Sequence, residues 1–322
     1  MENRNFIGVD IGGTTVKLAF ITYNGDILSK WEIPTNKEGN GSSIVEDIAA
    51  SIKSKQEELN FSHDQFIGIG VGAPGFVDVG EGFIYSAVNI GWENYHLTTA
   101  LTEETGYDAW LENDANLAAL GENWKGAGGQ ANHLIAVTLG TGVGGGIIGN
   151  GQLLHGANGT VAEIGHMTAK TENGRACNCG KTGCLETVAS ATAIVRSAYD
   201  AIEAGEKTTL QEILRQNETI SARDVFQEAA KGDQASQSIL DEVIHYLGIA
   251  IANLAIAINP TRIVIGGGVS QAGDQLLNPL RKVFDQNALK RTSQAAEFVI
   301  ASLGNDAGVL GAAYLAKQKS GK

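Results

Sequence analysis

Two stretches of this 322-residue chain repeat one design. Val9-Asp10-Ile11-Gly12 lies over Val137-Thr138-Leu139-Gly140 at an offset of 128, and Asn24-Gly25-Asp26-Ile27-Leu28 lies over Asn150-Gly151-Gln152-Leu153-Leu154 at an offset of 126. Each copy reads as a strand, a glycine turn, a second strand and an Asn-Gly turn, since Asn-Gly between β-rich runs favours a tight hairpin. Two such hairpins in the same order point to an internal duplication rather than chance likeness of glycine-rich turns. A duplicated α/β lobe leaves a cleft between its copies, and ligands in such folds collect where strands end in loops.

The remaining pattern is consistent with this. Residues 6–10, 16–23 and 27–33 read as strands, and apolar residues at 44, 45, 48, 49 and 52 mark a helix over 42–59 that begins at a serine cap. A strand over 66–71 and another ending at 109–111 follow. Asp114 opens a helix to about residue 124, with Asp114 or Asn113 as its cap. The second half adds strands over 133–139, 144–148 and 152–155, an Ala-rich helix over 233–258, a strand over 262–265 and a last helix over 306–317.

Composition narrows the functional classes. The chain holds 42 Gly but 4 Pro, with no triplet period and 43% hydrophobic residues, which excludes collagen-like and disordered chains. The glycines therefore belong to particular loops. With 36 acidic against 23 basic residues the net charge is −13, a field that repels nucleic-acid phosphates. The longest strongly apolar stretch, 249–258, is too short to cross a bilayer. Residues 1–5 are polar and lack a signal-peptide core, so a cytoplasmic protein with no membrane partner is expected.

Three glycine loops sit at strand ends. Asp10-Ile11-Gly12-Gly13-Thr14-Thr15-Val16-Lys17 joins two strands, so it is not a Walker A loop, which needs a helix after it. Its bare backbone N–H groups, with the hydroxyls of Thr14 and Thr15, form an anion nest suited to phosphate. Asp10 is placed to hold Mg²⁺, through water. Thr138-Leu139-Gly140-Thr141-Gly142 repeats the arrangement, and Gly144-Gly145-Gly146 suggest close approach of a second phosphate contact. Gly266-Gly267-Gly268 would let an adenosine or ribose pack on bare backbone. Gly70-Val71-Gly72-Ala73-Pro74-Gly75 matches the dinucleotide string G-x-G-x-x-G, but residues 76–82 are not helical in pattern, which removes a nicotinamide-enzyme reading.

All three cysteines lie within eight residues, as Cys177, Cys179 and Cys184. An odd count so clustered argues for a metal over disulfides. Cys-x-Cys-x₄-Cys with a preceding histidine gives an S₃N set suited to tetrahedral Zn²⁺. His166 is nearer in sequence than His155, and either completes the set.

Asp10 to Lys17, Gly72-Ala73-Pro74-Gly75, Asn113-Asp114-Ala115, Thr138 to Gly146, Glu163-Ile164-Gly165-His166 and the Cys177 to Cys184 motif together resemble the ROK family of sugar kinases and repressors, in order and across nearly the whole chain. The resemblance implies a two-lobed actin-like ATPase fold: a small lobe over 1–118, a large lobe with the zinc motif over 119–304, and a last helix over 305–322 returning to the small lobe. It implies ATP, Mg²⁺ and structural Zn²⁺, and a homodimer. It makes Asp114 the general base and assigns hydroxyl contacts to Gly75, Asn89, Asn113, Glu163, His166 and Glu186. The phosphate and nucleotide contacts fall to Asp10, Gly12, Gly13, Thr14, Thr15, Lys17, Thr138, Gly140, Thr141, Gly142, Gly267 and Gly268. The zinc ligands are His166, Cys177, Cys179 and Cys184. The expected activity is glucose phosphorylation. The alternatives are a kinase for N-acetylmannosamine, fructose or allose, and a sugar-responsive regulator. Regulators of this family carry an N-terminal helix-turn-helix domain, for which the five residues before the first strand leave no room.

Overall fold

The structure is a computed structural model and describes residues 4–321. In the first half β1 (Asn5–Ile11), β2 (Thr15–Ile21) and β3 (Ile27–Pro34) are followed by a single turn, α1 (Glu38–Gly41), and by α2 (Ile44–Leu59). Next come β4 (Phe66–Ala73), three short strands β5 (Phe76–Asp78), β6 (Phe83–Ala87) and β7 (Trp92–Tyr95), α3 (Leu97–Thr105), β8 (Ala109–Asn113) and α4 (Asp114–Lys125). The second half runs β9 (Leu134–Leu139), β10 (Val143–Gly149), β11 (Gln152–Leu153), then α5 (Glu186–Ala189), α6 (Ala191–Glu203), α7 (Leu210–Asn217), α8 (Ala222–Ala230) and α9 (Gln234–Ile258). It closes with β12 (Arg262–Gly266), α10 (Asp274–Asn287), α11 (Lys290–Ala295), β13 (Glu297–Ile300) and α12 (Ala307–Ser320).

The duplication is real at the level of topology. One sheet has the order β3-β2-β1-β4-β8 and the other β11-β10-β9-β12-β13. In each, the first three strands pair antiparallel and the last two add in parallel. This is the two-lobed actin-like ATPase fold. The two-residue drift in the repeat is Thr22-Tyr23. In the second copy Asn150 and Gly151 alone turn the chain, both at positive φ (52° and 74°). In the first copy the Thr22 N–H donates to the Asp26 carbonyl at 2.9 Å, and only Gly25 has positive φ.

Helix α2 buries Ile44, Val45, Ile48 and Ile52 against the first sheet, each worth about 1.5–3 kcal/mol of transfer free energy. The expected serine cap is absent. Ser42 and Ser43 are both already helical, and the Ser43 side chain caps no backbone N–H, because the chain enters α2 directly from the turn at α1. Helix α9 is 25 residues long and apolar enough by length and composition to cross a bilayer, which corrects the ten-residue estimate. Its Ile239, Val243, Leu247 and Ile251 instead lie in the core of the second lobe.

Helices α4 and α12 fill the space between the sheets. Leu117 and Leu120 of α4 and Ala312 and Leu315 of α12 form one cluster with Ala136, Ile148 and Val264 of the second sheet. On its other side α12 lies on β1 and β4, where a methyl group on Gly8 or Gly70 would overlap the carbonyl of Val309 or Ala312. The expected division at 118/119 falls inside α4.

Candidate active site

The base candidate stands at the junction of the lobes. Asn113 is extended (φ −67°, ψ 145°), and its Oδ1 accepts from the backbone N–H groups of Ala115 at 2.9 Å and Asn116 at 3.3 Å. Asn113 is thus the cap of α4, and Asp114 is the first residue of the helix. The Asp114 Oδ1 accepts from the Ala115 N–H, at 2.8 Å. Its side chain is exposed to the cleft but sits deep among protein atoms. That depth, with the charges of Asp10 and then Glu163, raises its pKa to about 6.

A cavity of about 290 Å³ lies over this residue, of a size to hold one small polar ligand. Gly75, Asn113, Asp114, Glu163 and His166 all line it. Gly75 holds φ 93°, and its carbonyl accepts from Asn113 Nδ2 at 3.2 Å, which ties the floor to the base-bearing turn. Two expected residues stand apart from this lining. Asn89 packs on the first glycine hairpin, with its Cβ 3.5 Å from where a Gly13 methyl would stand. Glu186 accepts from the Cys177 thiol at 3.1 Å and faces Gly142. The exposed rings of Phe76 and Tyr85 form a lip that the sequence reading missed; its one signal is aromatic residues on short strands at loop ends.

The first glycine hairpin is braced by Thr35, whose hydroxyl donates to the Gly12 carbonyl at 2.7 Å and whose N–H donates to the Thr14 carbonyl at 2.9 Å. Thr15 begins β2. Lys17 sits directly opposite Asp10 in the β1–β2 pair, with Nζ 3.8 Å from the carboxylate. Burial raises the Asp10 pKa, and Lys17 only partly offsets it. A desolvated carboxylate without a tight cation partner fits a hydrated Mg²⁺ beside phosphate. Lys37 reaches the same hairpin, with Nζ 3.9 Å from the Gly13 methyl position.

In the second lobe Thr138, Gly267 and Gly268 line one cavity of about 430 Å³, and Gly268 also borders another of about 510 Å³. A side chain at Gly140 or Gly268 would meet open space, as a cradle for a ligand requires. Thr141 lies between Gly140 and Gly142 in the turn, which the Gly140 N–H closes by donating to the Gly142 carbonyl at 3.0 Å. A side chain at Gly144 would meet Thr138 and Ala115, one at Gly145 Ile164 and one at Gly146 Ala119, so protein packing already requires all three glycines, while Gly144 and Gly145 also line the cavity over Asp114.

The four zinc candidates converge. The His166 Nδ1 is 3.6 Å from Cys177 Sγ, Cys179 Sγ is 3.6 Å from Cys184 Sγ, and all four ligand atoms lie within 4.8 Å of one another. A tetrahedron with Zn–S near ~2.3 Å has ligand–ligand edges of about 3.8 Å, so the spacing fits. Burial pushes the Cys177 thiol up to about 12, and a cation is what holds such sulfurs as thiolates. His155 stands outside this converging group, and its Nε2 lies 2.7 Å from Glu112 Oε2.

Duplicated lobes, two glycine hairpins at strand ends and a cleft carboxylate define a phosphotransferase of the actin-like ATPase class. The chain belongs to the ROK family, whose profile matches residues 6–319. A glucokinase of Halalkalibacterium halodurans is 52% identical over 319 residues, covering 99% of this chain and 97% of that one. A Thermotoga maritima glucokinase is 38% identical over 324 residues, covering all of both. Among solved structures, a ROK family glucokinase from Streptomyces griseus, in complex with glucose and AMPPNP, superposes with a TM-score of 0.78 at 34% identity, covering 98% of this chain and 99% of that one.

Proposed function

We propose that this protein is an ATP-dependent glucokinase that transfers the γ-phosphoryl group of ATP to the 6-hydroxyl of glucose. The observation that carries the reading is Asp114, freed from capping by Asn113 and facing a sugar-sized cavity with a pKa of about 6. Asp114 accepts the proton of the attacking hydroxyl as its oxygen bonds to phosphorus and ADP leaves. Gly75, Asn113, Glu163 and His166 bind the sugar from the cavity lining, since its other hydroxyls need short polar partners in a closed site, and Asn89 and Glu186, outside that lining, are assigned to it by the family resemblance alone.

Mg²⁺, when bound, neutralises charge on the phosphate oxygens. Asp10 and Lys17, with Gly12, Gly13, Thr14 and Thr15, hold the phosphates from the first lobe. Thr138, Gly140, Thr141 and Gly142 hold them from the second, and Gly267 and Gly268 seat the nucleoside. His166 Nδ1 and the three cysteines would hold zinc, which would fix the His166 ring with its other nitrogen toward the sugar.

We keep the small lobe as 1–118 with 305–322 returning to it, its boundary lying within the shared helix α4; the seat of α12 on β1 and β4 supports the return. We place the protein in the cytoplasm, where ATP is available and clustered thiols stay reduced, and as a homodimer, which sedimentation tests. The deciding experiment is an ADP-release assay over hexoses and N-acetylhexosamines. Glucose is expected to give the highest kcat/KM. A higher value for N-acetylmannosamine, fructose or allose would reassign the substrate, and sugar binding without ADP release would mark a regulator.

A further inference from the structure

Glu112 is next to last in β8 and only 1% exposed, yet its carboxylate is fully used. Oε1 accepts the Asn113 backbone N–H at 2.9 Å and the Asn116 side-chain amide at 2.9 Å, while Oε2 lies 2.7 Å from His155 Nε2. The first two bonds grip the turn that presents Asp114. The third reaches the other lobe, where His155 heads the segment whose Asn158, Glu163 and His166 form the facing wall of the cavity. Glu112 and His155 are themselves outside that lining.

Simple adhesion between the lobes would not need this chemistry, because apolar side chains of similar volume hold surfaces together at least as well. A three-bond carboxylate adds direction. Asn116 is tied into the same carboxylate by its side-chain N–H, and its buried Oδ1 has no protein partner among the described residues.

We propose that Glu112 and His155 are a positioning pair for phosphoryl transfer, locking the Asn113-Asp114 turn to the 155–166 segment so that the base and the sugar hydroxyl stay in register. This rests on the role proposed above for Asp114. Neither residue touches substrate; each acts through the elements it joins.

The test is steady-state kinetics with glucose and Mg–ATP. His155→Ala is expected to lower kcat on the order of 10- to 100-fold, the penalty of a small misplacement of reacting groups. KM for ATP should stay within about twofold, since the nucleotide contacts are untouched. His155→Gln, whose amide N–H extends toward the same oxygen, should recover most of the loss, while His155→Leu, of similar bulk but without a donor, should not. The Gln and Leu variants carry the comparison by themselves if the Ala variant fails to fold. Equal activity of the Gln and Leu variants, or wild-type kcat in all of them, overturns the proposal alone. A wild-type chain that phosphorylates no hexose overturns the functional reading and this proposal with it.

Discussion

His166 and Glu163 face each other across 3.9 Å, Nε2 to Oε2, while the other nitrogen of the same ring points at Cys177. One imidazole thus joins the zinc knuckle to the wall of the sugar cavity. The knuckle is in turn fastened to the large lobe, where Lys170 pairs with Glu242 and lies over the Tyr246 ring of α9. The metal's effect on turnover is therefore expected to pass through sugar binding.

Elemental analysis should find one zinc per chain, and Cys184→Ser should lose it. Because the ligands place His166 and not the nucleotide loops, metal loss should raise KM for glucose by roughly 10- to 100-fold, the usual scale for disrupting a metal's supporting shell. KM for ATP should move far less. Equal rises in both constants would remove the link between the knuckle and the sugar.

Asp114→Asn should reduce kcat by about 10²- to 10⁴-fold, the ordinary contribution of a general base. The fold should survive, because the cap of α4 is made by Asn113. Stability has a definite sign. Asp114 is raised above its unfolded value, so the folded state prefers the protonated form, and ionisation between pH 4 and 6 weakens the fold. At pH 7.5 the Asn variant should melt no lower than wild type. A clear drop in melting temperature would return Asp114 to a structural role.

Both results concern features that lay open in the sequence. The repeated hairpins gave the lobes their strands because Asn-Gly and glycine-rich turns act locally. The cysteine spacing gave the knuckle because metal geometry constrains short separations. What the sequence withheld depends on distant partners. Glu112 reads as an ordinary polar residue in a strand until His155 arrives from 43 positions away. Gly144, Gly145 and Gly146 read as ligand contacts alone, because nothing nearby in the chain announces that Ala115, Ile164 and Ala119 press against them as well.

The rate should also depend on pH through Asp114. With the base ionising at about 6, kcat/KM for glucose should fall roughly tenfold per pH unit below that value and level off above it. The negative charge of Glu163 is one of the causes that raise this pKa. Glu163→Gln should therefore move the acid limb to lower pH, whatever it does to the plateau. A limb that stays in place, or moves upward, would mean that another group controls it.

The seat of the last helix offers a test of the fold itself. A methyl group at Gly70 would overlap the carbonyl of Ala312, and one at Gly311 would overlap that of Leu117. Backbone stands on the crowded side in both cases, so no side-chain rotation relieves the clash. Gly70→Ala should lower unfolding stability by about 1–3 kcal/mol or more, the cost of overpacking a rigid contact. Gly205 provides the control for crowding, since a side chain there meets open space, although its φ of 76° carries its own smaller penalty. Denaturant titration of the two Ala variants separates these effects. If α12 binds as closely to β4 as the geometry states, Gly70→Ala should lose more stability than Gly205→Ala, and an equal or smaller loss would place the helix farther from the strand.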